Sequence, residues 1–303
     1  MDSELFKNRS VGSCLSDAFD LFRTNLKTLF RRLWMAALML SLILAAIMMS
    51  GLQHPAAGGF SPVNIICLLL LYVFAIGGFV WFYSIIISLL NGKSIKVNMP
   101  RVTRLTLLLL GLFILIGILC AIAISANYMA ARDLSQIHSA SARMFVGVFA
   151  FGLVFFIAAL PLYYSVMKYY IETDSKVRSV FKKPYVTGFR HWGYIFLTVL
   201  LTEIINFVIS MVVCLPLYVI LLCFVANSNG MAFGDPSGLS WGFGILAFVT
   251  AVVCTFADLF VRPWIVFTFY YAYGSIDEKE QGRTKRKEII VSTEPSTDFE
   301  EVK

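Results

Sequence analysis

The sequence predicts an all-α fold: a polytopic helical membrane bundle of six transmembrane spans, with an N-terminal amphipathic interfacial helix. Three observations carry that expectation. The chain has 303 residues, of which 59% are apolar and only 14% charged, and its mean hydropathy is +0.80. A soluble domain is about 45–50% apolar and about 25% charged. Several uninterrupted apolar stretches reach the roughly 20 residues that a helix needs to cross about 30 Å of hydrocarbon. Between them the basic residues gather in alternate loops. This composition excludes an ordinary soluble enzyme and a disordered chain.

The first apolar run starts near Leu33, too late for the usual order of a cleavable leader. Before it, Val11, Leu15, Phe19, Phe22, Leu26, Leu29 and Phe30 recur at steps of three and four. Asp17, Asp20, Thr24, Lys27 and Arg31 fall on the other side, and only Leu21 breaks the pattern. This predicts an amphipathic helix over 11–32, lying in the interface or packed under the bundle. Ser10 is suited to cap it.

Six spans follow, at about 33–52, 63–90, 105–126, 145–171, 193–226 and 241–274. Gly77-Gly78 can bend the second, and Pro161 lies inside the fourth. The fifth and sixth are too long for one straight crossing, so they tilt, extend or break. Pro216 and Pro263 are their obvious break points. Ala37, Ser41 and Ala45 form a small-residue ridge on the first span, which lets a neighbouring helix come close.

The loops set an orientation. Residues 1–32, 91–104, 172–192 and 275–303 carry 21 Lys and Arg, against 2 (Arg132 and Arg143) in the alternate loops. The positive-inside rule then expects both termini in the cytoplasm. Residues 1–32, 33–274 and 275–303 are accordingly expected as a cytoplasmic N-terminus, a six-span membrane domain and a disordered cytoplasmic tail. Within the tail, Arg283, Lys285, Arg286 and Lys287 suit a flank beside anionic lipid head groups. The net charge of +7 is read the same way, with the bilayer as partner and no nucleic acid. Homo-oligomers and protein partners stay open.

Chemistry-bearing residues are sparse. The cysteines 14, 67, 120, 214, 223 and 254 lie mostly in apolar segments and form no Cys-x-x-Cys pair. They read as apolar fillers. His54, His138 and His191 are mutually remote, so no metal or cofactor is expected. No phosphate-loop, zinc-protease or nucleophile-elbow motif occurs. For acid–base chemistry at the interface, Glu172, Asp174 and His191 are the only nearby candidates. The aromatic run Phe267, Phe269, Tyr270, Tyr271, Tyr273 and the five tryptophans read chiefly as an interfacial belt.

Ionisable groups inside spans need a reason, since each costs about 2.5–3.5 kcal/mol on insertion scales. Glu203, Asn206 and Ser210 share one face of the fifth span, and Asp258 and Arg262 stand one turn apart on the sixth. These five residues are the candidate intramembrane polar site. Either they line a polar cavity, or they neutralise one another, with Glu203 meeting Lys168 or Arg262. A weak internal repeat is also visible: Phe22-Arg23-Thr24-Asn25 can be laid over Phe189-Arg190-His191-Trp192, suggesting three hairpins entered from one face.

The run Pro161-Leu-Tyr-Tyr, Tyr169-Tyr-Ile-Glu172, Ser179-Val-Phe and Gly188-Phe-Arg-His-Trp-Gly-Tyr194 resembles a diverse superfamily of membrane proteins. The same holds for Ser16-Asp-Ala-Phe-Asp-Leu-Phe-Arg-Thr-Asn25 and Tyr270-Tyr-Ala-Tyr. That superfamily includes the membrane domain of some glycerophosphoryl diester phosphodiesterases and related six-helix bacterial membrane proteins. The resemblance covers most of 11–274 and implies a six-helix architecture in a bacterial inner membrane. The catalytic barrel of those phosphodiesterases has no counterpart here, so their activity is not carried over. The sequence therefore predicts a non-catalytic interaction, scaffold or lipid-binding protein. The alternatives are a transporter of small molecules or lipids using the polar site, and an enzyme acting on lipid head groups.

Overall fold

A computed structural model describes residues 5–52, 61–130, 134–234 and 238–293. The protein is an all-α bundle, and among the described residues there is no strand. The helices are α1 (Val11–Leu52), α2 (Pro62–Asn91), α3 (Ile95–Ala130), α4 (Leu134–Ile171), α5 (Lys183–Arg190), α6 (Trp192–Val213), α7 (Leu215–Ala232), α8 (Trp241–Leu259) and α9 (Arg262–Thr293). A short 3-10 turn, Val177–Phe181, precedes α5. Among the described residues, six stretches are long and apolar enough to cross a membrane: Val11–Gly51, Pro62–Asn91, Ile95–Ile122, Val146–Ile171, Trp192–Val213 and Gly242–Arg286.

Helix α1 joins the expected amphipathic helix and the first span into one rod of 42 residues. No proline or glycine lies between Gly12 and Gly51 to interrupt it. Ser10 caps it as expected, its hydroxyl accepting from the Ser13 amide at 3.2 Å. The face turned to the bundle matches the expected one in part: Val11 and Leu29 are buried, and Leu15 and Phe22 pack against the core. Cys14, Ala18, Leu29, Leu33 and Ala36 are buried, while Phe19, Leu26 and Phe30 are 54%, 46% and 53% exposed. Leu21, which breaks the sequence pattern, packs against the core. Small residues on that side admit closer helix contact than the phenylalanine stripe would.

The ridge Ala37, Ser41 and Ala45 is buried, and Ala45 packs against Ala251 and Cys254 of α8. Helix α2 starts with a Ser61 cap and Pro62 in its first turn, and it ends at Gly92, whose φ of 67° is a left-handed cap. Gly77-Gly78 does not break α2. A Cβ on Gly78 would stand 3.3 Å from Leu40 Cδ1, so this glycine serves the approach of α1.

Pro161 stays inside α4 because its missing hydrogen bond is replaced. Without a Pro161 N–H, the Ile157 carbonyl loses its helical donor. The Trp192 indole donates to that carbonyl at 3.2 Å, and the Tyr185 hydroxyl donates to Ala158 O at 2.9 Å. Helix α5 sits directly on this turn: a Cβ on Gly188 would lie 2.6 Å from Pro161 O.

The two overlong spans expected from the sequence, 193–226 and 241–274, are broken. The fifth divides at Cys214, with Pro216 in the first turn of α7. The sixth divides at Phe260-Val261, with Pro263 just inside α9. Both prolines sit where a missing N–H costs nothing.

The hub of the bundle is the first half of α9. Trp264, Phe267, Tyr270, Tyr273 and Ile276 are buried there. They pack against Leu29, Leu33 and Phe82 on one side and Leu160, Tyr164, Ile195 and Val199 on the other. The aromatic run is therefore mostly core and not a belt, because α1, α4 and α6 surround it. Away from the hub, large apolar side chains such as Val73, Phe113, Phe149 and Leu222 are more than half exposed. That surface suits lipid.

Over residues 275–293 the expected disordered tail is helical instead, α9 running on to Thr293. Several of its charges have partners. Lys168 Nζ lies 3.1 Å from Asp277, and the Tyr164 hydroxyl donates to the same carboxylate at 3.0 Å. Arg190 and His191 meet Glu280 at 2.8 and 3.0 Å, and Lys279 lies over the Tyr194 ring. Residues 294–303 lie outside the described residues. The proposed repeat also fails locally: residues 22–25 lie mid-helix in α1, whereas 189–192 straddle the junction of α5 and α6.

Candidate functional site

The broken sixth span brings the candidate residues together. The last turn of α8 tightens, with the Val261 amide bonding to Asp258 O at 3.0 Å, and α9 restarts at Arg262. Arg262 therefore reaches back one turn and donates to the Asp258 carboxylate at 2.6 Å. From α6, the Ser210 hydroxyl donates to the other Asp258 oxygen. This ties the two broken spans together beside both breaks.

Glu203 stands apart from that pair. It accepts from the Asn206 amide at 3.3 Å and is in no ion pair among the described residues. The expected partner Lys168 is engaged by Asp277 and Glu172. The other expected partner, Arg262, is engaged by Asp258. Asn206 is 7% exposed, and its carbonyl oxygen has no hydrogen-bond partner. Glu203 lies roughly 16 Å beyond Trp192 along the α6 axis, and Arg262 roughly 18 Å from Gly274 along α9.

Glu203 and Arg262 line the same cavity. It has a volume of about 690 Å³ and opens between α2, α3, α4 and the start of α9. Ligand sites are typically about 300–1,000 Å³. Its walls are apolar, with Ile87, Leu105, Leu109 and Val166 among them, and Tyr83, Tyr163 and Tyr170 contribute aromatic faces. Of the five candidate residues, the structure thus joins Ser210, Asp258 and Arg262 in one network and Glu203 with Asn206 in a second. The cavity receives one charge from each.

The interfacial acid–base candidates do not converge. Glu172 pairs with Lys168 at 3.2 Å, His191 with Glu280, and Asp174 is exposed. Among the described residues no group of three or more His, Cys, Asp or Glu could hold a metal ion.

Sequence reasoning missed the aromatic walls of the cavity and two buried cations, Arg9 and Arg101. Arg101 is 9% exposed. Its guanidinium donates to the carbonyls of Tyr169, Glu172 and Thr173 at the end of α4 and lies 4.3 Å from the Tyr169 ring centroid. It caps carbonyls that a helix end leaves free. In the sequence it was counted only as one of the basic loop residues.

Compared with family models, curated proteins and solved structures, the chain matches none.

Proposed function

We propose that this is a non-catalytic integral membrane protein that binds an amphiphile, such as a lipid, in the intramembrane cleft. The observation that carries this reading is the pairing of an apolar cavity with two charges on its wall. Placing ionisable groups at that depth in a bilayer is costly, and of the two only Arg262 has an ion-pair partner among the described residues, while Glu203 is exposed. A plain structural clamp needs no cavity beside it. The apolar walls and the two charged side chains on them together fit a molecule with a hydrocarbon body and a polar group.

Transport is a second reading, favoured by one observation. The fifth and sixth spans are both interrupted at a proline, and a hydrogen bond from Ser210 to Asp258 joins them beside the interruptions. Discontinuous helices around a polar site are a feature of many transporters. The protein would sit in a bacterial inner membrane with both termini in the cytoplasm. Its basic end would face anionic head groups there, in keeping with the six-helix superfamily that the sequence resembles.

The test is to fill the cleft. Leu109→Trp and Ala159→Trp occupy its walls. Lipid that co-purifies with the protein, counted by native mass spectrometry, is expected to fall for both variants. Unchanged lipid occupancy in well-folded variants would overturn the reading. Uptake of a lipid analogue into proteoliposomes separates transport from binding alone.

A further inference from the structure

The charge on the cleft narrows the ligand class. We infer that the cleft selects an amphiphile bearing a positively charged ammonium-type group, with Glu203 as its counter-ion. This rests on the amphiphile-binding reading above. Three ionisable groups stand at the site: Glu203, Asp258 and Arg262. Arg262 is matched by Asp258 at 2.6 Å, so these two cancel. That leaves the site with one net negative charge, carried by Glu203, which is exposed, is in no ion pair among the described residues and lines the apolar cavity. Helices α2, α3 and α4 add no charge to that wall, only Tyr83, Thr106, Tyr163, Tyr170 and apolar side chains.

A carboxylate in such surroundings is unfavourable until a cation meets it. The walls suit the same guest. Phe79, Tyr83, Phe113, Tyr163, Tyr170 and Phe269 all line the cavity. Aromatic faces attract ammonium groups through the ring quadrupole, and the attraction grows when water is excluded. An anionic amphiphile would meet a site of net negative charge, because the Arg262 guanidinium, which also acts on Glu203, is paired with Asp258.

The experiment uses two ions of nearly the same shape and opposite charge, tetraphenylphosphonium and tetraphenylborate. Binding of each to the purified full chain in dodecyl maltoside is measured by equilibrium dialysis, against protein-free micelles. Tetraphenylphosphonium is expected to bind saturably, and Glu203→Gln to weaken it at least tenfold. Glu203→Asp is expected to keep most of the binding, with an unchanged size-exclusion profile for both variants. Tetraphenylborate is expected to show no saturable binding. Saturable tetraphenylborate binding, or tetraphenylphosphonium binding indifferent to Glu203→Gln, would overturn the inference.

The two readings fail separately. Cation binding lost in Leu109→Trp but untouched by Glu203→Gln keeps the cleft and removes the charge selection. Cation binding untouched by Leu109→Trp and Ala159→Trp removes the cleft itself. Displacement by short-chain phosphatidylethanolamine assigns the ammonium to a lipid head group. Displacement only by dodecyltrimethylammonium assigns it to a free lipophilic amine, and displacement by neither overturns the ammonium assignment.

Discussion

Removing one partner of the Asp258–Arg262 pair tests how the broken sixth span is held. In Arg262→Gln the Asp258 carboxylate keeps only the Ser210 hydroxyl. Breaking a fully buried pair costs about 3–5 kcal/mol, and a surface pair is worth about 0–1 kcal/mol. Here the side chains are 33% and 13% exposed, and the contact is a short one within one turn. The expected loss is therefore ~2–3 kcal/mol. At about 2–4 °C per kcal/mol for a chain of a few hundred residues, the melting temperature in detergent falls by roughly 4–12 °C. The assay is fluorescence-detected thermal unfolding with size exclusion. Asp258→Asn alone costs less, because the amide still bonds to Ser210. The double variant Asp258→Asn/Arg262→Gln is expected to recover about half of the Arg262→Gln loss, an interaction energy of ~1–2 kcal/mol. A double variant that loses the full sum of both singles would refute the pairing. So would a restoring partner at Glu203 in place of Asp258.

Four further outcomes are expected. Gly188→Ala and Gly274→Ala press a methyl group onto Pro161 O and Leu5 O respectively, so each should cost about 1–3 kcal/mol. Gly193→Ala, with nothing within 4 Å, should cost far less in the same melting assay. Arg101→Ala should lower stability by about 2–4 kcal/mol, since it strips charged donors from the end of α4. Arg101→Lys should recover only part, because a single ammonium cannot replace the planar fork. Glu280→Ala should free the start of the charged segment from Arg190 and His191, and trypsin should then cut after Lys279 and Arg283 several-fold faster; equal rates would contradict the anchoring. Reporter fusions at Ser94, Ser139, Ser179, Ser237 and the C-terminus should read in, out, in, out, in, and an outside tail would contradict the orientation.

What was legible in the sequence follows from which interactions are local. Apolar length gives the spans, and a proline inside an overlong span gives its break, so Pro216 and Pro263 could be read directly. Spacing on a helix face brought Glu203, Asn206 and Ser210 together, and likewise Asp258 and Arg262. The sequence could not say that Arg262 prefers Asp258 to Glu203, because that depends on where α9 restarts. The phenylalanine stripe of α1 misled for a related reason. Hydrophobic periodicity marks apolar faces without distinguishing lipid from protein, and close packing chose the side of Cys14 and Ala18. The charged segment after Asp277 looked unable to fold because its partners Lys168, Arg190 and His191 are about 90–110 residues away in the chain. The cleft walls come from α2, α3, α4 and α9, so no local pattern announces them.

Occupancy of the cleft by an amphiphile is read by photo-crosslinking with a diazirine-bearing fatty acid in native membranes, mapped by peptide mass spectrometry. Label on Leu109 and Val166 inside the cleft is expected to saturate and to be competed by unlabelled amphiphile. Label on Leu222, which is 68% exposed on α7, is expected to rise linearly without competition. Equal, non-saturable labelling at all three positions would mean that the cavity is only another lipid-facing surface, and would contradict the account.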